Sequence, residues 1–399
     1  MNRRAGTMVA WMVAWLAAGC SSPSSKPPVA AKDLVTGSED TATLAHLFSE
    51  LADDILSSYE RDEPLELGTG MIDPRIGAVR IGVGPGDVYI TSSERPPDGK
   101  AAQPEHLRRW PLVLDSSTRA DARSKRLEIQ IAADQTAAWM ADELSWRITV
   151  CRRTAVIPLR ITALYAHDGD RWVPVFEHLS FGWPPTPSDA PAPEAIKTAV
   201  RSGDLKDELS GILWRGLFRM PHDAAVAAQD PSALVLGPDA GDEWHGAQVQ
   251  RAQLPAGKLE DRRVGTVGRV PGEATVAYWV GNYIADIPAR PGVAAGKVRL
   301  RGTYVFEKRR LAAPDSKAAA ATSCAVDPVT KAAPADCRWM LVQSHLSQAI
   351  TDKELTNQVF GTARISLDPL ALDCSDGTSP MAPAAELRPG STLPAAQTP

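Results

Sequence analysis

The sequence predicts an α+β protein made of two copies of one domain, and three observations carry that prediction. Helix-type and strand-type periodicities follow one another twice along the chain. A ten-residue stretch of the first half recurs in the second, and a Pro-rich segment separates the two. A chain of 399 residues suits two cores better than one, at roughly 100–200 residues per domain.

The N-terminus reads as an export signal. Arg3 and Arg4 precede an apolar run from Met8 to Ala18, too short to span the ~30 Å hydrocarbon core of a membrane as a helix. It ends in Leu16-Ala17-Ala18-Gly19-Cys20, which resembles a bacterial lipobox, with Ala17 where Leu is usual. The small residues fit a peptidase site, and the Cys20 thiol is the group that would take the lipid. Residues 1–19 are therefore read as signal peptide and 20–40, rich in Ser, Pro, Lys and Ala, as a flexible tether. The expected location is the bacterial cell envelope, lipid-anchored, periplasmic or at the cell surface.

From Thr41 the pattern changes. Leu44, Leu47, Phe48, Leu51, Ile55 and Tyr59 recur at helical spacing. Strand-like stretches follow at 78–83, 127–133, 137–148, 156–166 and 172–180, the last two joined by the turn His167-Asp168-Gly169-Asp170. These place the first domain at 41–183. Residues 184–193 hold five prolines and form the linker. The second domain, 194–372, opens with Leu205, Leu209, Ile212, Leu213 and Leu217 at helical spacing. It returns to strands at 266–270, 275–284, 298–308 and 338–347, interrupted by an Ala- and Pro-rich insertion at 311–336. Residues 373–399 read as a disordered tail.

The repeat is the strongest signal. Arg171-Trp172-Val173-Pro174-Val175-Phe176-Glu177-His178-Leu179-Ser180 aligns with Arg338-Trp339-Met340-Leu341-Val342-Gln343-Ser344-His345-Leu346-Ser347, identical at six of ten positions. Arg160 and Thr162 match Arg301 and Thr303. Ala138-Trp139-Met140-Ala141 is aligned with Tyr278-Trp279-Val280-Gly281, and Gly84-Pro85-Gly86-Asp87 recurs loosely within 237–244.

The motifs Gly237-Pro238…Glu243-Trp244-His245-Gly246 and Trp339…Gln343-Ser344-His345-Leu346-Ser347 resemble the SnoaL-like branch of the nuclear transport factor 2-like superfamily. The resemblance covers both halves. It implies two cone-like domains, each a curved antiparallel sheet wrapped around helices. It also implies isomerase, dehydratase or cyclase chemistry in some members and non-catalytic association through sheet faces in others, so function rests on the site.

His178 and His345 are the first catalytic candidates, being equivalent in the two halves. Side chains alternate along a strand, so Trp172, Phe176, His178 and Ser180 are expected on one face, and Trp339, Gln343, His345 and Ser347 on its counterpart. Such a histidine is either a general base or a structural residue that ties strands together through hydrogen bonds. Asp142 is a further catalytic candidate, as one of two adjacent strand carboxylates of which one points inward. Trp172, Trp244 and Trp339 are candidate pocket-rim residues. Gly82-Val83-Gly84-Pro85-Gly86-Asp87 reads as a turn, because Pro85 lacks the N–H that a phosphate loop needs. The sequence holds no metal-ligand or cofactor motif, so none is expected. Net charge −5 argues against nucleic acid.

If Cys20 carries lipid, four cysteines remain, and in an oxidising compartment Cys324 pairs most simply with Cys337, close in sequence. The pairing of Cys151 and Cys374 stays open. The expected function is a membrane-tethered module that binds a small apolar ligand or an envelope partner without catalysis. The alternative is an isomerase-, dehydratase- or cyclase-type enzyme on a small hydrophobic substrate. Homo-oligomerisation through sheet faces is compatible with either.

Overall fold

A computed structural model of the chain describes residues 38–60, 78–85, 87–90, 119–150, 153–169, 171–187, 203–213, 229–246, 257–268, 274–289, 294–310, 324, 337–351 and 354–355. The first half contains helix α1 (Ser38–Glu60) and strands β1 (Val79–Ile81), β2 (Val88–Ile90), β3 (Arg119–Ser124), β4 (Glu128–Ile131), β5 (Ala137–Val150), β6 (Arg153–Asp168) and β7 (Arg171–Ser180). The second contains helix α2 (Gly203–Leu213) and strands β8 (Gln229–Leu236), β9 (Glu243–His245), β10 (Gly257–Val267), β11 (Val276–Ile287), β12 (Gly296–Arg310) and β13 (Cys337–Gln348).

The two sheets have one topology. The first runs β2-β1-β7-β6-β5-β3, with β4 also on β5; the second, read in the same direction, runs β9-β8-β13-β12-β11-β10. Each is mixed: β1 lies parallel to β7 and β8 parallel to β13, and the other pairs are antiparallel. The described structure is thus mostly β, in two sheets with a helix for each. Trp172 and His178 lie on β7, and Trp339 and His345 on β13, the same strand of each order.

The amphipathic pattern of α1 buries Leu44, Leu47, Leu51, Ile55 and Tyr59, and the last four pack with Met140, Leu144, Trp146, Ile157, Leu159 and Leu179 on one face of the first sheet. In the second half, Leu209, Ile212 and Leu213 of α2 pack with Trp279, Tyr283, Leu300, Tyr304 and Phe306. A third cluster joins the halves. Ile81, Trp139, Leu164 and Phe176 of the first sheet meet Tyr278, Val280, Val305 and Val342 of the second, so each sheet carries its helix on one face and the other half on the opposite face. Both faces of the central strands are therefore covered, which is why they read as near-continuous apolar runs.

Register corrects two expectations. Val175 has no ladder partner, because β6 and β7 shift register between Leu164 and Tyr165; β12 and β13 shift likewise, skipping Val342. A bulge of one residue reverses the alternation beyond it. Trp172 consequently sits in the helix-side core while Phe176, His178 and Ser180 face the other half; Trp339 and Gln343, His345 and Ser347 are divided in the same way. The tryptophans and histidines do not share a face.

The second correction concerns Trp139 and Trp279. Trp139 pairs with Leu164, whereas Trp279 pairs with Tyr304, one position short of the Val305 that corresponds to Leu164. Trp139 therefore corresponds to Tyr278, and Asp142 to Gly281 instead of Asn282. The two identical tryptophans lie on opposite faces, since a one-residue slip turns every side chain over.

Several smaller expectations shift as well. The strand expected at 266–270 is the end of β10, which starts at Gly257, and β2, β3, β8 and β9 were not anticipated. Cys20, the tether up to residue 37, linker residues 188–193, Cys151, Cys374, the tail 373–399 and the 311–336 insertion other than Cys324 lie outside the described residues.

Candidate functional site

The repeated polar residues converge between the two sheets. The rings of His178 and His345 stack with centroids 3.9 Å apart and planes inclined by 21°. Neither is exposed to solvent. Each uses both ring nitrogens on hydroxyls. For His178, Nδ1 is 3.1 Å from Thr303 Oγ1 and Nε2 is 2.7 Å from Ser347 Oγ. For His345, Nδ1 is 3.0 Å from Thr162 Oγ1 and Nε2 is 2.7 Å from Ser180 Oγ. All four hydroxyls belong to the opposite half, and a neutral imidazole satisfies both contacts by donating at one nitrogen and accepting at the other. Burial holds both imidazoles well below their ordinary pKa. For His178 the neighbouring His345 and Arg301 add to the effect, and for His345, Arg160 and Arg301 do.

Two arginines close the arrangement with the same reciprocity. Arg301 donates to Gly84 O at 2.9 Å, to Val83 O at 3.2 Å and to Ser347 Oγ at 3.3 Å. Arg160 donates to Gly237 O at 3.1 Å, to Asp239 O at 3.0 Å and to Ala240 O. The carbonyls they reach belong to matching turns. Gly82 N donates to Asp87 O, and Gly237 N to Asp242 O, both at 2.6 Å. The Asp carboxylates fold back onto the Gly84 and Asp239 N–H groups at 2.6 and 3.3 Å. A Cβ on Gly82 or Gly237 would stand 2.6 or 2.5 Å from the Asp Cβ, so the close approach requires glycine. The Gly82–Asp87 turn is a docking point for the other half's guanidinium. Burial lowers the Arg160 pKa and brings that of Arg301 down to about 10.

Asp142 is separate from this cluster. On β5 it turns toward α1, is 3% exposed, and accepts from Arg126 N at 3.1 Å. Burial pushes its carboxyl up to about 7 against the pull of hydrogen bonds from Ser124, Arg126 N and Tyr59. Asp142 stands where the edge strand breaks into β3 and β4; in the second half Gly281 holds that place, and β10 continues past it with only a bulge between Glu260 and Arg262. On the same helix side, Arg80 and Glu177 form a buried ion pair at 2.8 Å, paired across β1 and β7. The corresponding residues of the second half are Val235 and Ser344.

Trp172 and Trp339 are core residues, 5% and 6% exposed, and Trp244 is partly buried against the second core. None of the three lines the crevice between the halves. That crevice, lined by Arg126, Glu128, Ala141, Arg160, Leu236 and Glu243 among others, has about 10 Å³ open to the centre of a water, room for one water at most. At its mouth Arg126 bonds Glu243 across the halves, and His245 does so at 2.6 Å within its own strand. With His245 foremost, these hold the Glu243 carboxyl down at about 2. Cys324 and Cys337 form a disulfide with Cα atoms 6.0 Å apart. No group of His, Cys, Asp or Glu suited to a metal occurs among the described residues.

No family profile matches the chain, and no curated protein does. Among solved structures, one described as a calcium/calmodulin dependent protein kinase II association domain from Xanthomonas campestris is 19% identical. It covers 38% of this chain and 93% of its own, with a TM-score of 0.24. Another, described as an Ntf2 like protein involved in plasmid conjugation, is 8% identical over 58% of this chain and 78% of its own, with a TM-score of 0.18. At these TM-scores both are distant structural matches.

Proposed function

We propose that this chain is a membrane-tethered envelope lipoprotein whose two nuclear transport factor 2-like domains form a pair within one polypeptide and act as a non-catalytic binding module. The domains are cone-like, each offering its helix side to a small apolar ligand or its outer surface to an envelope partner. One observation carries the reading. The polar residues common to both halves, which are the best catalytic candidates by sequence, spend their hydrogen bonds on each other across the interface. His178 and His345 have both ring nitrogens engaged and no exposed edge. A general base needs reach to a substrate proton; these have none.

Two experiments test the reading. Expressed with its leader, the protein partitions into detergent, and Cys20→Ala releases it; a wild-type protein found wholly in the aqueous phase contradicts the tether. Native mass spectrometry of protein extracted from membranes shows a bound small apolar molecule or a stoichiometric protein partner; neither species present contradicts the binding role.

A second reading, an enzyme acting on a small hydrophobic substrate, is favoured by Asp142 alone. It is a buried carboxyl, brought near neutrality and turned toward the helix side of the first half, with no counterpart in the second. Loss of turnover in Asp142→Asn at unchanged stability selects it.

A further inference from the structure

We propose that the His178–His345 pair is an acid-operated latch: protonation of the two imidazoles opens the interface between the halves while each half keeps its own sheet and core. The geometry makes the site intolerant of charge. Around the rings, β6 presents Thr162 and Arg160, β7 Ser180, β12 Thr303 and Arg301, and β13 Ser347. In the ladders, apolar Ile81 of β1 pairs with His178 and Leu236 of β8 with His345, while Ala141 of β5 and Val280 of β11 pair with Thr162 and Thr303. Asp87 acts on the Arg301 guanidinium, and Glu243, Asp242, Asp239 and Glu143 act on that of Arg160. Among the described residues, the bonds to both imidazoles come from hydroxyls and none from a carboxylate. A first imidazolium is thus buried beside the Arg301 guanidinium, and at His345 beside that of Arg160 as well, with only hydroxyls bonded to it among the described residues, and a second stacks on the first at 3.9 Å. Two like charges at that distance in a low-dielectric site repel strongly.

Opening relieves this by hydrating the pair. What it exposes is the cluster shared between the sheets, while the α1-side and α2-side cores are built from residues of largely one half each. The sign follows from linkage. Both imidazoles are lowered in the closed form, so the open form binds more protons below pH ~6.5 and closure weakens as pH falls from there toward the closed-state pKa. Within that window each pH unit shifts the open–closed equilibrium by up to tenfold per histidine, and about 100-fold for both.

The test uses the full chain released by Cys20→Ala. Its X-ray scattering profile and far-UV circular dichroism are followed from pH 7.5 downward. The latch predicts an increase in radius of gyration while dichroism is unchanged, with the log of the opening constant rising by close to 2 for each pH unit of acidification. Two outcomes overturn it: a scattering profile that stays constant until dichroism is lost, or an opening whose slope is near zero. In His178→Gln/His345→Gln the acid transition disappears; an opening in the same pH window as the parent refutes the assignment. Should that variant not fold, the parent's proton slope decides alone.

Discussion

His178 and His345 lie on corresponding strands of the two sheets, and each imidazole reaches hydroxyls of the other's half. His178 bonds Ser347, two residues beyond His345, and His345 bonds Ser180, two residues beyond His178, both at 2.7 Å. That reciprocity is the rule of a two-fold interface, in which residue i of one partner meets j of the other and j meets i. Here the partners are halves of one chain, so a single repeated motif supplies both sides. It accounts for the polar residues that the repeat retains there: Arg160/Arg301, Thr162/Thr303, His178/His345, Ser180/Ser347 and Asp87/Asp242 all serve the contact, while Trp172/Trp339 and Leu179/Leu346 serve the helix-side cores.

The arginines give the first prediction. Arg301→Ala removes the donors to Gly84 O, Val83 O and Ser347 Oγ; the two carbonyls keep one backbone donor each, Asp87 N and Ile350 N, so the loss is that of hydrogen bonds from a charged group, about 1.5–3 kcal/mol each. Arg160→Ala removes the donors to the opposite turn. Chemical unfolding is expected to show similar losses, about 2–5 kcal/mol each, in the two variants. A loss confined to one of them contradicts the reciprocity.

The buried ion pair of the first half gives the second. Glu177→Ser removes the carboxylate that pairs with Arg80 at 2.8 Å and is expected to cost about 3–5 kcal/mol, as breaking a buried ion pair does. Arg80→Val/Glu177→Ser copies the Val235 and Ser344 of the second half and recovers most of that loss. A double variant as unstable as the single one refutes the equivalence of the two sites.

Asp142 gives a pH prediction. Its folded-state pKa of about 7 lies above the model-peptide value of 3.8. The protonated carboxyl is thus compatible with the fold, and its contribution is complete below pH ~4 and lost as pH rises through ~7. Asp142→Asn keeps an oxygen for Arg126 N and carries no charge. At pH 8 it is expected to stabilise the protein by about 1–3 kcal/mol, and to make little difference at pH 4. Melting temperatures of the pair at the two pH values check this; destabilisation at pH 8 contradicts it.

Much of this architecture was legible. The helices, the long strands β5, β6, β7, β11, β12 and β13, and the equivalence of His178 and His345 follow from periodicity and repetition; that the two rings stack on each other does not. The faces did not follow. A bulge at Val175 and another at Val342 leave no mark in an apolar run, because strands covered on both sides show no alternation to break. Matching Trp139 to Trp279 by identity gave the wrong register, since only the ladders reveal that their environments differ. The site was half legible. Arg160, Thr162 and their copies were matched as repeats, yet sequence alone says nothing of which surface they face. Arg80 and Glu177, far apart in the chain and absent from the second half, left no signal.

The disulfide gives a further prediction. Cys337 opens β13 opposite Arg310, and its bond to Cys324 closes a loop worth at most ~3 kcal/mol in the chain-entropy model. Cys324→Ser/Cys337→Ser is expected to lower the melting temperature without loosening the contact between halves. An unchanged melting temperature shows that the bond does not form in the native protein.

The central claim, that the halves hold each other through the histidine pair, is tested most directly by a double-mutant cycle across the interface. Unfolding free energies are measured at pH 8 for the parent, His178→Ala, Ser347→Ala and the double variant. Residues in direct contact couple by about 0.5–3 kcal/mol, whereas independent sites add within ~0.5 kcal/mol. The 2.7 Å contact between Nε2 and Oγ predicts a coupling of about 1 kcal/mol or more. Additivity within experimental error would mean that His178 and Ser347 do not meet, and the paired arrangement of the halves would fall with it.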